Sequence, residues 1–217
     1  LIDSAEDFAF FWAAAYNGKI TSSTQYWRLD ANIDLDNQSW ASYIDKNGTF
    51  KGKFDGNGKI IKNMTLAPSV ANKNYGLFCQ LEGQAADNRA EVKNLTIDHA
   101  TIEPTVDLGG NTGVGFVVGK TNKYADIINV KVTNSTITYA KNIKGNQYVG
   151  GVVGQTNTDT KVQDCSVTTL AITAKGETTN AYFGGLIGHI NGQTAVTNCS
   201  TSGVSVTYDL IANASRI

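Results

Sequence analysis

The sequence predicts an all-β solenoid closed at its N-terminal end by one helix, and three observations carry that expectation. A motif of about twenty residues recurs: Tyr148 to Val167 returns from Tyr182 onward, and an earlier copy runs from Gly115 through Val132. A fixed period of this kind means stacked copies of one unit. Apolar residues fall into columns when the copies are aligned. The composition agrees, with 17% charged residues, 22 Gly, 2 Pro and many Asn, Thr and Val, a balance that suits strands and corners rather than helices.

The 217 residues can bury a substantial core. A formal net charge of -1 implies no basic face, so no nucleic-acid partner is expected. No apolar run approaches the roughly 20 residues that span a bilayer, so no membrane insertion is expected. Three cysteines are too few, and odd in number, for a disulfide framework. The chain begins at Leu1 without Met, which predicts a processed or trimmed segment of a longer protein.

In order, residues 1–25 read as the cap, 26–70 as entry strands and turns, and 71–217 as repeated rungs, all within a single β-helix domain. Ser4 with acidic Asp7 three positions on marks a helix start. Phe8, Phe11, Trp12 and Ala15 then share one helical face, and Asn17-Gly18 ends the helix. A helix over residues 4–17 would close the solenoid's first strand edge. Tyr26 to Leu35 alternates as a single strand, with Trp27, Leu29, Ala31, Ile33 and Leu35 on one side. Asp30, Asn32, Asp34 and Asp36 on the other side lack the Gly and Glu of a calcium loop, because Leu35 and Ala41 occupy those places. They read as a solvated face. Asp45-Lys-Asn-Gly48 and Asp55-Gly-Asn-Gly58 signal tight reversals between short strands.

The columns run as follows. Ile61, Val92, Ile127, Val162 and Val196 align, and two places on stand Asn63, Asn94, Asn129, Asp164 and Asn198, with spacings of 31, 35, 35 and 34 residues. Met64, Leu95, Val130, Cys165 and Cys199 follow, then Leu66, Ile97, Val132, Val167 and Thr201. Apolar alternation shifts phase by one at the Asn column, so the chain must bend there. Asn tolerates left-handed backbone and can hydrogen-bond to its neighbours above and below as a ladder. Asp164 departs from the pattern and is expected to interrupt or re-pair the ladder.

Each later copy opens on glycines, Gly150, Gly151 and Gly154, then Gly184, Gly185 and Gly188. They read as structural bends where a side chain would collide with the next rung. No helix pattern follows them, so a phosphate-cradling loop is rejected.

Gly184-Gly-Leu-Ile-Gly188 with Val196-Thr-Asn-Cys199, preceded by the entry segment Phe50 to Ile61, resembles the bacterial GLUG repeat. The resemblance spans the chain from about Tyr26 onward. It implies a right-handed parallel β-helix with rungs of about 34 residues, in agreement with the columns. It also implies an extracellular or cell-surface bacterial protein. Such repeats occur in adhesins of gut Bacteroidetes and in the non-catalytic region of IgA-specific zinc peptidases.

Chemistry in the chain is sparse. His99 and His189 lie about 90 residues apart and neither opens a His-Glu-x-x-His motif, so no metal site, cofactor or peptidase chemistry is expected here. Outward positions beside the Asn column offer one acid, Asp98, while Asp126 and Asp159 fall in neighbouring loops, so a carboxylate pair for glycoside hydrolysis is a minority reading. Cys165 and Cys199 read as buried thiols rather than a disulfide. Thr138, Thr173 and Thr207 align as an outward column, broken alongside by Ala171, Ser205 and Glu103.

The loops Glu103–Thr112, Tyr139–Gln147 and Ala174–Ala181 leave one corner on successive rungs. Clustered loops on a regular scaffold are where such proteins bind. Tyr139, Tyr148 and Tyr182 with Lys141, Lys144 and Lys175 are therefore the candidate residues for a host glycan or protein partner. The expected function is non-catalytic adhesion or glycan/protein binding. The alternatives are a structural spacer in a secreted IgA-peptidase-like metallopeptidase, or a carbohydrate-active β-helix enzyme. Extending the repeat places the next glycine motif just past Ile217, which predicts further rungs in the parent chain.

Overall fold

The computed structural model describes residues 1–41, 48–71, 73–177 and 180–210. It is a parallel β-solenoid of about five turns with one short helix at its N-terminal end. Every strand pairing among the described residues is parallel, and the strands sort into sheets of 13, 5 and 3. One rung shows the plan. Gln147–Gly150 lies in the small sheet, and the chain then bends and returns as Val153–Thr156 in the five-stranded one. Thr160–Gln163 and Ser166–Gly176 then enter the large sheet. β-Branched Val, Ile and Thr fill the straight segments, while Gly, Asn and Asp hold the corners.

Helix α1 spans Ala5–Tyr16, and the Ser4 hydroxyl accepts from the Asp7 amide at 3.1 Å as its N-cap. Phe8, Phe11, Trp12 and Ala15 are all buried, as their spacing predicts. Phe11 packs its ring 5.1 Å from Phe54 and 6.1 Å from Phe50, and the Trp12 indole Nε1 donates to the Leu77 carbonyl at 2.9 Å. Aromatic bulk on the helix thus fills the mouth of the coil, and the indole hydrogen bond fixes how the helix lies. Gly18 at φ +64° follows the C-cap Asn17, so the chain can turn away into the first strands.

Register confirms the later columns and corrects the first. Val92, Ile127, Val162 and Val196 stand beside one another. Ile61, however, pairs with Ile33 and Ile97, and Phe54 takes the place beside Val92. Leu66 likewise pairs with Ile102. The cause is the insertion Gly56-Asn57-Gly58. The Gly56 amide donates to Lys93 O and the Gly58 amide to Asn94 O, so this loop already rounds the corner that Asn94 turns. Ile61-Lys-Asn63 therefore lies one corner further along the rung, although its local pattern matches the first.

That insertion also splits the strand expected over Tyr26–Leu35. Tyr26–Arg28 pairs with Lys53–Asp55 and Ile33–Asp34 pairs with Ile60–Lys62, with a bend between. Asn57 Nδ2 donates to Leu29 O at 3.1 Å, and the Ile60 amide donates to Asn32 Oδ1 at 3.0 Å, so the side chains of both turns stitch the bend. The acidic face is ion-paired rather than simply solvated: Asp30 binds Arg28 at 2.8 Å and Asp34 binds Lys62 at 2.9 Å. Asp55-Gly-Asn-Gly58 is likewise a corner of the coil, not a hairpin reversal, because the strands it joins pair in parallel with other rungs. The turn signal beginning at Asp45 lies outside the described residues.

The three thiols are free, with Cys165 buried and Cys79 and Cys199 half-buried. Cys165 donates to the carbonyls of Ile127 and Gln163, and burial pushes its pKa up to about 12, which keeps it protonated and unreactive.

Candidate functional site

The corners are built by left-handed residues stacked rung upon rung. Asn94, Asn129, Asp164 and Asn198 have φ of 52°, 52°, 54° and 53°. Asn129 Nδ2 donates to Asn94 Oδ1 at 2.9 Å, and Asn94 Nδ2 donates to Asp55 Oδ1 at 3.1 Å. The Asp164 side chain has no amide to donate, and its carboxylate accepts from Gln163 Nε2 at 2.9 Å instead. Asn63 belongs to a second corner, whose residues His99, Asn134, Thr169 and Gly203 also have positive φ. Two more amide contacts of the same kind were not anticipated: Asn146 to Asn111, 35 residues apart, and Asn191 to Asn157, 34 apart, both at 2.8 Å. Their spacing equals the repeat period, so the signal was present in the sequence outside the motif that drew notice.

The glycine motif marks backbone-to-backbone packing between the small and five-stranded sheets. A Cβ on Gly150 would strike the Val153 carbonyl and come within 2.6 Å of the Gly188 amide nitrogen. One on Gly154 would strike the Val114 amide of the preceding rung. Gly184 and Gly188 repeat the relation one rung later, while Gly151 and Gly185 face side chains and backbone beneath the bend. The collisions involve the facing strand as well as the neighbouring rung.

The six residues proposed for partner binding do not form one surface. Tyr139 is 4% exposed and belongs to the core. The strand Ala125–Ile143 continues past the expected loop start, and its inward phase through Ile137 carries Tyr139 inside. Lys141, Lys144 and Lys175 are exposed on one edge, where Lys144 pairs with Asp107 at 2.9 Å. Tyr148 and Tyr182 stand in register in the small sheet, 8% and 44% exposed, with ring centroids 5.4 Å apart. The His189 ring stacks on Tyr148 at 4.6 Å, a partner the sequence reading did not assign.

A cleft of about 420 Å³ opens elsewhere, lined by Arg89, Asp159, Lys161, Gln193, Thr194 and Ala195, with Thr160. Arg89 organises it. Its Nε donates to Asp126 Oδ1 at 2.8 Å, and its Nη2 donates to the carbonyls of Asp159 at 2.6 Å and Ala125 at 3.3 Å. Asp126, which lies in the strand Ala125–Ile143 and not in a loop, meets the guanidinium with its carboxylate, whereas Asp159 meets it with its main-chain carbonyl. Asp126 is buried and ion-paired, which suits a structural anion rather than a general acid. At the second corner, Asp98 accepts from Thr133, Asn134 and the Nδ1 side of exposed His99. Among the described residues no group of three or more His, Cys, Asp or Glu side chains could hold a metal.

Residues 145–173, one rung from Gly145 to Thr173, match the family model described as the GLUG motif. Among solved structures, the crystal structure of a putative immunoglobulin A1 protease from Bacteroides ovatus is similar at 15% identity. The match covers 98% of this chain and 83% of that one, with a TM-score of 0.44. No curated protein matches the chain.

Proposed function

We propose that this chain is a non-catalytic β-helix segment of a secreted or surface protein, and that it holds a glycan or protein partner. The observation that carries the reading is the way segments of three successive rungs are fastened into one edge. The Asn142 amide and Lys144 both bind Asp107, at 3.1 and 2.9 Å, and Asn142 Nδ2 reaches Glu177 at 3.4 Å. Exposed Lys141 and Lys175 flank this edge. Loops held in fixed relation by a rigid solenoid present a preorganised surface, which lowers the entropic cost of binding. The GLUG match supports the surface assignment, and no described helix is long and apolar enough to cross a membrane.

A glycan array and a host-protein binding screen of the purified chain test this. Reproducible capture of a ligand, weakened by Lys141→Ala/Lys175→Ala or by substitutions elsewhere on the surface, is the expected result. No binding to any glycan or protein would sink the adhesive reading, and release of sugars from a polysaccharide would overturn the non-catalytic one. The same cross-rung fastening favours a second reading, a rigid spacer in a larger peptidase-like protein. A His-Glu-x-x-His domain in the full-length protein is the observation expected for it.

A further inference from the structure

We infer that the cleft beside Arg89 is a subsite for one ring of a neutral saccharide. The inference rests on the binding reading above and adds a site distinct from the lysine edge.

The cleft exists because of a change in one outward column. Asp126, Lys161 and Ala195 stand in register on successive rungs, so the long Lys161 side chain is followed by a methyl group. Space opens above Ala195, walled by the turn that contains Gly192 at φ +77° and Gln193. Its volume of about 420 Å³ lies within the roughly 300–1,000 Å³ of small-molecule sites.

The lining is preorganised. Arg89 is half-buried and spends Nε and Nη2 on Asp126, Ala125 and Asp159, which ties the strand entrance at Ala90 to the turn at Asp159. Its Nη1 takes no part in those bonds. The Thr194 hydroxyl donates to Thr156 Oγ1 at 2.9 Å, which fixes the opposite wall. Lys161, Asp159 and Gln193, which also line the cleft, carry an ammonium donor, a carboxylate acceptor and an amide that does both. Neither Lys161 nor Asp159 has an ion pair among the described residues.

Charge selects the ligand class. Arg89 is ion-paired with Asp126, and the cleft lining adds one further cation, Lys161, and one further carboxylate, Asp159, so the four groups sum to no net charge. That balance favours neither an anionic nor a cationic ligand. A ring carrying several hydroxyls satisfies donors and acceptors together, since each hydroxyl both donates and accepts. The Ala195 methyl offers an apolar patch for the ring's C–H face.

Saturation-transfer NMR with the methyl glycosides of glucose, galactose, mannose and N-acetylglucosamine tests the assignment on the whole chain. Glucuronate serves as the charged probe. At least one neutral glycoside should give signal. Lys161→Ala combined with Asp159→Asn should weaken it tenfold or more, and Lys131→Ala, at an exposed lysine outside the cleft lining, less than twofold. Asn keeps the left-handed backbone at position 159, where φ is 54°, and an unchanged Tm for the double variant excludes unfolding as the cause. A signal indifferent to the cleft variant, a signal only with glucuronate, or none with any neutral glycoside would each overturn the inference. The array and protein screen would then still decide the broader binding reading separately.

Discussion

Arg89 and Asp126 join two rungs through a hydrogen-bonded ion pair at 2.8 Å, with side chains only 16% and 11% exposed. The pair closes a staple, since the same guanidinium also binds the Asp159 carbonyl one rung further on.

Removing one partner should therefore cost more than removing both. Asp126→Ala leaves a largely buried cation uncompensated and should destabilise the chain by about 3 kcal/mol. Arg89→Met combined with Asp126→Ala should recover part of that loss. Urea unfolding of the single and double variants measures the difference; equal losses would refute an inter-rung role for the charge pairing.

Gly150 faces the Val153 carbonyl and the Gly188 amide with no room for a methyl group. Gly150→Ala must push two backbones apart and should lower stability by about 3 kcal/mol. Gly18→Ala provides the contrast. Nothing lies within 4 Å of a Cβ there, so only its left-handed backbone is penalised, at about 1 kcal/mol. Thermal melts of both variants check the ordering.

Asn129 combines left-handed geometry at φ 52° with the bond to Asn94. Asn129→Ala loses both, for about 2–3 kcal/mol in total. Asn129→Gly restores the backbone freedom and should recover roughly half. If Gly is no better than Ala in chemical denaturation, the corner conformation is not what Asn contributes.

Acid should destabilise the solenoid through Asp55 and Asp98. Burial raises each carboxyl, but hydrogen bonds outweigh it, from Asn57, Asn94 and Tyr26 on Asp55 and from Thr133, His99 and Asn134 on Asp98. Both folded pKa values are consequently lowered. A lowered value means the stabilisation is complete above the unfolded carboxylate pKa of about 3.9 and is lost as pH falls through the folded one. Stability measured from pH 6 to pH 2 should fall steeply below about pH 4. Asp98→Asn should flatten that fall, and an unchanged slope would remove Asp98 from the account.

How far the chain was legible follows from what each signal depends on. Val92, Ile127, Val162 and Val196 are legible in the sequence because each is one step in a uniform repeat, and equal spacing forces equal position in a coil. Ile61 cannot be placed from sequence, because Ile-Lys-Asn looks the same at either of two corners and only the partner strand Thr96–Asp98 shows which corner it turns. Tyr139 looks like a loop residue in the sequence because alternation in a long strand cannot announce where the strand stops. The pairing with Ser166–Gly176 carries the strand on to Ile143.

The sequence by itself determined the parallel stack, the helical lid and the left-handed Asn corners, because periodicity, helical spacing and backbone preference are local properties written in residue order. Only the tertiary structure decided the rest: that Trp12 fastens the lid to Leu77, that His189 joins the Tyr148 ring, and that Arg89 gathers Asp126 and Asp159 around a cleft. Those contacts join residues 37 to 70 positions apart or from different sheets. Their existence depends on the lateral distance between side chains across rungs, which no single stretch of residues encodes.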